Sequence, residues 1–264
     1  MNKTVLHSGK GGDLIASLAT LYEMHKKEGS KFDFILDSTG TAWRATDTPE
    51  IRRQVGNKPM AFGKAACQYL QPLIAAQPYI NSCTIADTNT QLPDIDIDFN
   101  AMRAQFLSKS AVEATRTNLE MMYKFQLGLP LTPSEKWLFV DAKQPPKPLI
   151  VARSTRYLSA HLWLACRANE FQKYGCFIGT PFEHKVFEDA FDVKMNYLPT
   201  KSALESAQYI AGSEAFIAPG NLHYWIALGV GHTNVINELC VDVWTTYYQN
   251  NPRVQYIQGG RCFT

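Results

Sequence analysis

The 264-residue chain has no Cys-x-x-Cys pair, no marked excess of either charge and no low-complexity tract. Its six cysteines, Cys67, Cys83, Cys166, Cys176, Cys240 and Cys262, are scattered. That argues against a metal or redox motif and fits free thiols buried in a reducing compartment. No apolar run approaches the ~18 residues of a membrane span. The start, MNKTVLHSGKGG, has no apolar stretch followed by a small-residue cleavage site, so a cytoplasmic protein is expected. Lys and Arg number 26 against 24 Asp and Glu, a formal net charge of +2. Residues 1–150 hold 17 basic and 15 acidic side chains and residues 151–264 hold 9 of each, so the whole surplus lies in the first half. Bulk charge therefore cannot hold the chain to nucleic acid, although a local basic groove could. With 45% hydrophobic and 19% charged residues the composition is that of a globular protein.

The spacing of apolar residues alternates between strand and helix periods. Thr4–Leu6 reads as a strand, followed by a glycine-rich turn and a helix carrying Leu14, Leu18 and Leu21. Strands are expected at Phe32–Leu36, Ser82–Ala86 and Ile95–Phe99, and helices at Ala65–Ala76 and Val112–Leu127. The segment Asp141–Pro148 then carries three prolines, which stop helices and central strands and favour a stiff, extended linker. After it the alternation restarts. Strands are expected at Leu149–Ala152, Cys176–Ile178, Ala215–Ile217 and, last, Val235–Ile236. Helices are expected at Leu162–Lys173, Phe182–Phe191, Ser202–Ala211 and Leu222–Val230. This pattern predicts an α/β protein of two Rossmann-like domains, residues 1–146 and 147–264, facing each other across a cleft. Ligands of such sheets bind beyond the C-terminal ends of the strands.

Three strand-to-helix turns carry candidate chemistry. The first holds His7, Lys10, Gly11, Gly12 and Asp13. Its glycines would let the backbone approach a ligand, and the helix start would offer free amides to an anion. It fits neither a P-loop nor a complete dinucleotide fingerprint. Asp13 suits two roles, a first-turn acid that stabilises the helix or a general base at the mouth of the cleft. His7, at the strand end, reads as a structural or ligand-contacting residue. The second turn holds Arg153, Ser154 and Arg156, whose paired donors and permanent charge suit a pyrophosphate or a solvated surface loop. The third is Gly220-Asn221-Leu222-His223, either a phosphate-binding helix start or an ordinary Asn N-cap. His223 could face a ligand or pack near Trp225, and Tyr224 and Trp225 read as core. A further turn at Gly179 and Thr180 and the carboxylate of Glu238 also fall at strand ends. Glu238 could hold a ribose or form a salt bridge.

Together these segments resemble the GT-B glycosyltransferases, in particular small phage and bacterial proteins related to the heptosyltransferases of glycosyltransferase family 9. The resemblance runs through Gly12-Asp13-Leu14-Ile15-Ala16-Ser17-Leu18, the stretch from Tyr69 to Tyr79, Arg153 to Tyr157, Phe177 to His184, Tyr197 to Thr200, Ile210 to Ile217 and the helix from Leu222 to Gly231. It covers most of the chain. It implies an inverting, metal-independent transferase that uses a nucleotide-diphosphate sugar and no cofactor. It also implies Asp13 as the base and the positions around Arg153 and Asn221 as holders of the donor phosphates. Three positions depart from the family pattern. An Asp-Ser-Gly appears here as Gly220-Asn221-Leu222, a histidine as Trp225 and a proline as Ala19.

The acceptor stays open between a saccharide and a hydroxymethylated base in DNA. The second would place a phage-encoded enzyme in the host cytoplasm. His25, Lys26, Lys27, Arg52, Arg53, Lys58 and Lys64 could line a groove for DNA or be scattered, solvated charges. A different class of function, a non-catalytic nucleotide- or sugar-binding module with a degenerate site, is the alternative.

Overall fold

Near-continuous apolar runs form central parallel strands because both faces of such strands are buried. The run around Val5 and Leu6 does so here. It forms β1 (Asn2–His7), which pairs with β2 (Lys31–Asp37) on one side and β4 (Ile97–Asp98) on the other. β3 (Ile80–Ala86) extends the sheet beyond β2, giving the order β3-β2-β1-β4, all parallel. A second sheet has the order β11-β10-β9-β8-β5-β6-β7. It comprises β5 (Leu149–Val151), β6 (Gly175–Phe177), β7 (Asn196–Tyr197), β8 (Ala215–Pro219), β9 (Val235–Glu238), β10 (Val254–Gln258) and β11 (Arg261–Phe263). Every pairing in it is parallel except β10 with β11. The computed structural model describes residues 2–8, 10–38, 63–106, 118–155, 158–239, 251–258 and 261–263.

Nine helices occur among the described residues: α1 (Gly11–Glu28), α2 (Lys64–Ala75), α3 (Phe99–Phe106), α4 (Leu119–Gln126), α5 (His161–Ala165), α6 (Ala168–Tyr174), α7 (Pro181–Phe191), α8 (Ala203–Gly212) and α9 (Leu222–Gly229). α1 has Asp13 in its first turn and His25, Lys26 and Lys27 in its last, which complements the helix dipole. Gly29, at φ 67°, closes it by returning its N–H to the His25 carbonyl. All eight residues from Leu14 to Leu21 are buried, so along this stretch the helix has no solvent face.

Several sequence expectations are corrected. The helix expected at Leu162–Lys173 is two helices, α5 and α6, separated by Cys166 and Arg167. The strand expected at Ile95–Phe99 is two residues long, because Phe99 opens α3. Val235–Ile236 is not the last strand, since β10 and β11 widen the sheet, and the short β7 was not foreseen. The two residues of β7 and the three of β11 carry too little periodicity to detect. The helix expected at Val112–Leu127 is shorter where it is described: α4 begins at Leu119, capped by Asn118, and residues 112–117 lie outside the described residues. Cys67 and Cys176 are buried free thiols and Cys83 is half-buried, whereas Cys166 is exposed. Burial pushes the Cys67 thiol up to about 11 and the Cys83 thiol up to about 12.

The two sheets share their core. One apolar cluster includes Val5, Leu14 and Phe34 from the first half, Trp137 and Leu138, and Phe216, Trp225 and Tyr256 from the second. α1 packs on α9 more extensively than any other two described helices pack. The packing is close because of glycine. A Cβ on Gly11 would stand 3.2 Å from Leu222 Cδ1, and one on Gly12 would stand 3.0 Å from Trp225 Cδ1.

The linker expected at Asp141–Pro148 is the last part of a longer stretch, residues 129–148, that forms no helix or strand but is packed rather than free. Trp137 and Leu138 both donate their N–H to the carbonyl of Gly229 at the end of α9 (2.9 and 2.8 Å). The Trp137 indole donates to the Ile15 carbonyl in α1 (3.0 Å), and Tyr79 donates its hydroxyl to the Trp137 carbonyl (2.8 Å). The Phe139 N–H is received by Gln77 (2.7 Å). The segment is thus a strap bonded to both halves. Just before the strap, in α4, Lys124 is fully buried. It pairs with Glu120 (2.7 Å) and donates to Ser134 and to the Thr132 carbonyl (2.9 and 2.6 Å).

The strap lies hard against Gly229, where a Cβ would come within 2.6 Å of Leu138 Cδ1. Gly229→Val is therefore expected to lower stability by roughly 1–3 kcal/mol, the usual range for overpacking a tight core. Urea unfolding followed by tryptophan emission checks this. Because the core is shared, one cooperative transition is expected in both proteins.

Candidate functional site

Ligands of parallel sheets gather where the chain reverses its order across the sheet. In the second sheet that point lies between β5 and β8, since β6 continues on one side of β5 and β9 on the far side of β8. The segments leaving these strands, Ala152–Ser154 and Asn221–His223, line a cleft of about 600 Å³. Gly179 and Thr180, beyond β6, line it as well. The opposite wall comes from the first half, through Gly11 at the start of α1 and Ala65, Ala66, Tyr69 and Leu70 in α2.

Four helices therefore turn their first residues toward one space: α1, α2, α7 and α9. The first N–H groups of a helix have no intrahelical acceptor, and the aligned peptide dipoles place partial positive charge there. Backbone so placed favours an anion, less so at α7, where Pro181 has no N–H and Glu183, which lines the cleft, takes the N–H of Thr180.

The charged side chains are largely spent elsewhere. Arg153 lines the cleft but is 7% exposed, and its guanidinium forms a two-point ion pair with Glu238 (Nε–Oε2 2.8 Å, Nη2–Oε1 2.9 Å). Glu238 also accepts the N–H groups of Ser159 and Ala160 (2.6 and 2.8 Å). Its oxygens are therefore occupied, and it is not among the residues lining the cleft, so the salt-bridge reading describes it in place of the ribose one. The guanidinium also sits 5.1 Å from the centre of the Phe191 ring.

Asn221 is the N-cap of α9, and both ends of its amide are used. Its oxygen accepts from the Tyr224 N–H (3.0 Å), and its nitrogen donates to the Ala152 carbonyl (2.6 Å). The side chain fixes the turn, leaving the amides of Leu222 and His223 at the free start of the helix. Thr180 and Glu183 form a reciprocal capping box on α7: Thr180 Oγ1 receives the Glu183 N–H (3.1 Å), and Glu183 receives the Thr180 N–H (2.8 Å).

Of the sequence-predicted residues, Gly11, Arg153, Ser154, Gly179, Thr180, Asn221, Leu222 and His223 line this one cleft. Asp13 stands two residues beyond Gly11, buried in the first turn of α1. Lys10 is the N-cap of α1, Gly12 faces Trp225, and Gly220 lies in the turn before α9. His7 is fully buried against Phe99 and Tyr123, with ring centres 5.5 and 6.1 Å away. Tyr224 and Trp225 are core residues. Arg156 lies outside the described residues, as do Arg52, Arg53 and Lys58. Lys26 pairs with Glu23 (2.8 Å). No residue role was assigned beforehand to Tyr69, Tyr197 or Thr200, all of which line the cleft. Their only signal was membership of the Tyr69–Tyr79 and Tyr197–Thr200 segments.

With this geometry in hand, comparison with solved structures shows the fold to be that of GT-B glycosyltransferases. A glycosyl transferase family 9 structure from Veillonella parvula superposes with a TM-score of 0.58 at 12% identity, covering 97% of this chain and 85% of that one. The E. coli ADP-heptose LPS heptosyltransferase II gives 0.50 at 11% identity, covering 97% and 90%. The iron-containing dodecameric glycosyltransferase TibC of enterotoxigenic E. coli gives 0.50 at 10%, covering 89% of this chain and 57% of that one. No family model matches the sequence, and no curated protein matches it. No helix among the described residues is long and apolar enough to cross a membrane, and no group of three or more His, Cys, Asp or Glu among them could hold a metal ion.

Two predictions follow from the burial of these groups. Glu238→Ala leaves Arg153 buried without its partner, which is expected to cost about 3–5 kcal/mol in a urea melt. The second concerns pH. Burial pushes the His223 imidazole down to about 4 and lowers that of His232 as well. The unfolded chain binds these protons near pH 6.5, roughly the free histidine value. Stability is therefore full above about 6.5 and falls as pH drops toward 4, where shifted carboxylates such as Glu23 begin to add to the loss. His223→Gln should shrink the fall in melting temperature between about pH 7 and 5.

Proposed function

We propose that this protein is an inverting glycosyltransferase that moves a sugar from a nucleotide-diphosphate donor to an acceptor hydroxyl. The observation that carries this reading is the cleft at the switch point of a GT-B fold, faced by the first turns of four helices. The second half, residues 147–264, holds the donor, and the first, residues 1–146, presents the acceptor.

The leaving diphosphate gains negative charge as the glycosidic bond breaks. The amides at the start of α9 and the Arg153 guanidinium meet that charge in fixed positions, without reorganising. They fill the electrostatic role that a metal fills elsewhere, so the reaction is proposed to be metal-independent. Glu238 holds Arg153 in place and keeps the pair neutral. Asp13 is proposed as the general base, taking the acceptor proton while the hydroxyl oxygen attacks the anomeric carbon from the face opposite the diphosphate. The acceptor hydroxyl belongs either to a saccharide or to a hydroxymethylated base in DNA.

A binding module without turnover is the second reading. It is favoured by the internal bonds that already occupy the side chains of Arg153 and Asn221. One experiment separates the two. The protein is incubated with UDP-, ADP- and GDP-sugars, with and without saccharides or hydroxymethylcytosine DNA, and products are read by mass spectrometry after digestion. Transfer or donor hydrolysis is expected, and Asp13→Asn should reduce it by roughly 10²–10⁴-fold. Binding without any product favours the module, and full activity in Asp13→Asn removes the assigned base.

A further inference from the structure

One wall of the cleft carries a ring of three hydroxyls. Tyr69 Oη in α2 lies 2.9 Å from Thr200 Oγ1 and 2.7 Å from Ser206 Oγ in α8, and the last two are 2.8 Å apart. Tyr69 and Thr200 line the cleft, and Ser206 is fully buried behind them.

A hydroxyl has one proton to donate and lone pairs to accept. Three hydroxyls joined by three contacts use three protons, each oxygen donating once and accepting once. The ring is then closed and no proton is left over, while each oxygen keeps a lone pair. Tyr197, on the same cleft, spends its proton on the Gly179 carbonyl (2.9 Å) and keeps only acceptor capacity. The first turn of α9, on the same cleft, offers the N–H groups of Leu222 and His223, which can only donate. The cleft is therefore polarised in hydrogen-bonding sense. Phosphate oxygens, which accept, match the helix starts and find no proton on the ring.

We propose that the Tyr69–Thr200–Ser206 ring is a specificity wall that selects a ligand by hydroxyl protons, so that a polyhydroxylated group is held there while its phosphates lie on the helix starts. This rests on the reading of the cleft as a nucleotide-sugar site and adds the direction in which the ligand lies. The hydroxyls can come from the nucleotide's ribose or from the transferred sugar.

Calorimetric titration of the full chain tests it, with UDP-glucose and ADP-glucose, the free diphosphates UDP and ADP, and inorganic pyrophosphate as probes. Thr200→Val removes one accepting oxygen and is expected to weaken sugar-nucleotide binding about tenfold, the size of one hydrogen bond left unmade, with pyrophosphate affinity unchanged. Tyr69→Phe should act in the same direction. If the free diphosphates weaken as well, the wall holds the ribose; if only the sugar nucleotides weaken, it holds the transferred sugar. Ser206→Ala is the control for folding. It opens the ring but keeps the hydroxyls of both cleft-lining residues, so sugar-nucleotide affinity should stay within about threefold of the parent even if the melting temperature falls as far as in Thr200→Val. A loss in Ser206→Ala as large as in Thr200→Val would mean that the ring acts only by packing the halves together, and would overturn the proposal. Unchanged affinities in Thr200→Val and Tyr69→Phe, or an equal loss that includes pyrophosphate, would overturn it too. If none of the probes binds the parent protein, it is the reading of the cleft itself that fails.

Discussion

The close approach of α1 to α9 is the constraint on which the rest of this molecule depends. Gly11 and Gly12 bring the start of one helix against Leu222 and Trp225 at the start of the other. Both helices begin at strand ends, one in each sheet. Drawing their first turns together draws the C-terminal edges of both sheets to one place. The cleft results from that contact, and a larger residue at Gly12 would meet the Trp225 indole and part the walls. The Trp137 strap reinforces the joint from the other end of α9, binding the Gly229 and Ile15 carbonyls at once.

That geometry also explains how the cleft can suit an anion with so little free positive side-chain charge around it. Arg153 is paired with Glu238, and the His223 imidazole is held neutral by its burial. What remains is the field of the helix starts, which costs nothing to orient because folding has already fixed it. A buried, unpaired arginine would attract phosphate more strongly, but it would carry a heavy desolvation penalty in the empty protein. Pairing it with Glu238 offsets much of that penalty, and the amides of the helix start are donors beside its guanidinium.

Much of this was readable from residue order. Apolar runs and helical spacing located most central strands and their helices, because buried parallel strands and α1 have strong periodic signals. The turns after β1, β5, β6 and β8 could be identified as candidate site segments because strand-to-helix joints in such folds face one edge. What failed to show was pairing across the fold. Arg153 and Glu238 are 85 positions apart, and nothing local to either says that each is the other's partner. The glycines of the first turn were read as making room for a ligand, and Gly11 does line the cleft, but nothing local showed that Gly11 and Gly12 also make room for another helix. Tyr69, Thr200 and Ser206 are unremarkable singly and acquire meaning only as a ring. The prolines signalled an extended segment correctly, but extension does not distinguish a free linker from a strap.

The strap bears on how such a protein can change over generations. Two sheets joined by a loose tether can be exchanged, one half with a new partner, and each half keeps its fold. Here the stretch 129–148 is wall to both halves, with Trp137 bonded to one and to the other through different atoms. A cut at the proline-rich segment would strip α9 of its cover on one side and leave Trp137 and Leu138 without theirs on the other. An exchanged half would therefore arrive without acceptors for these bonds, whereas substitutions on the cleft walls leave them intact.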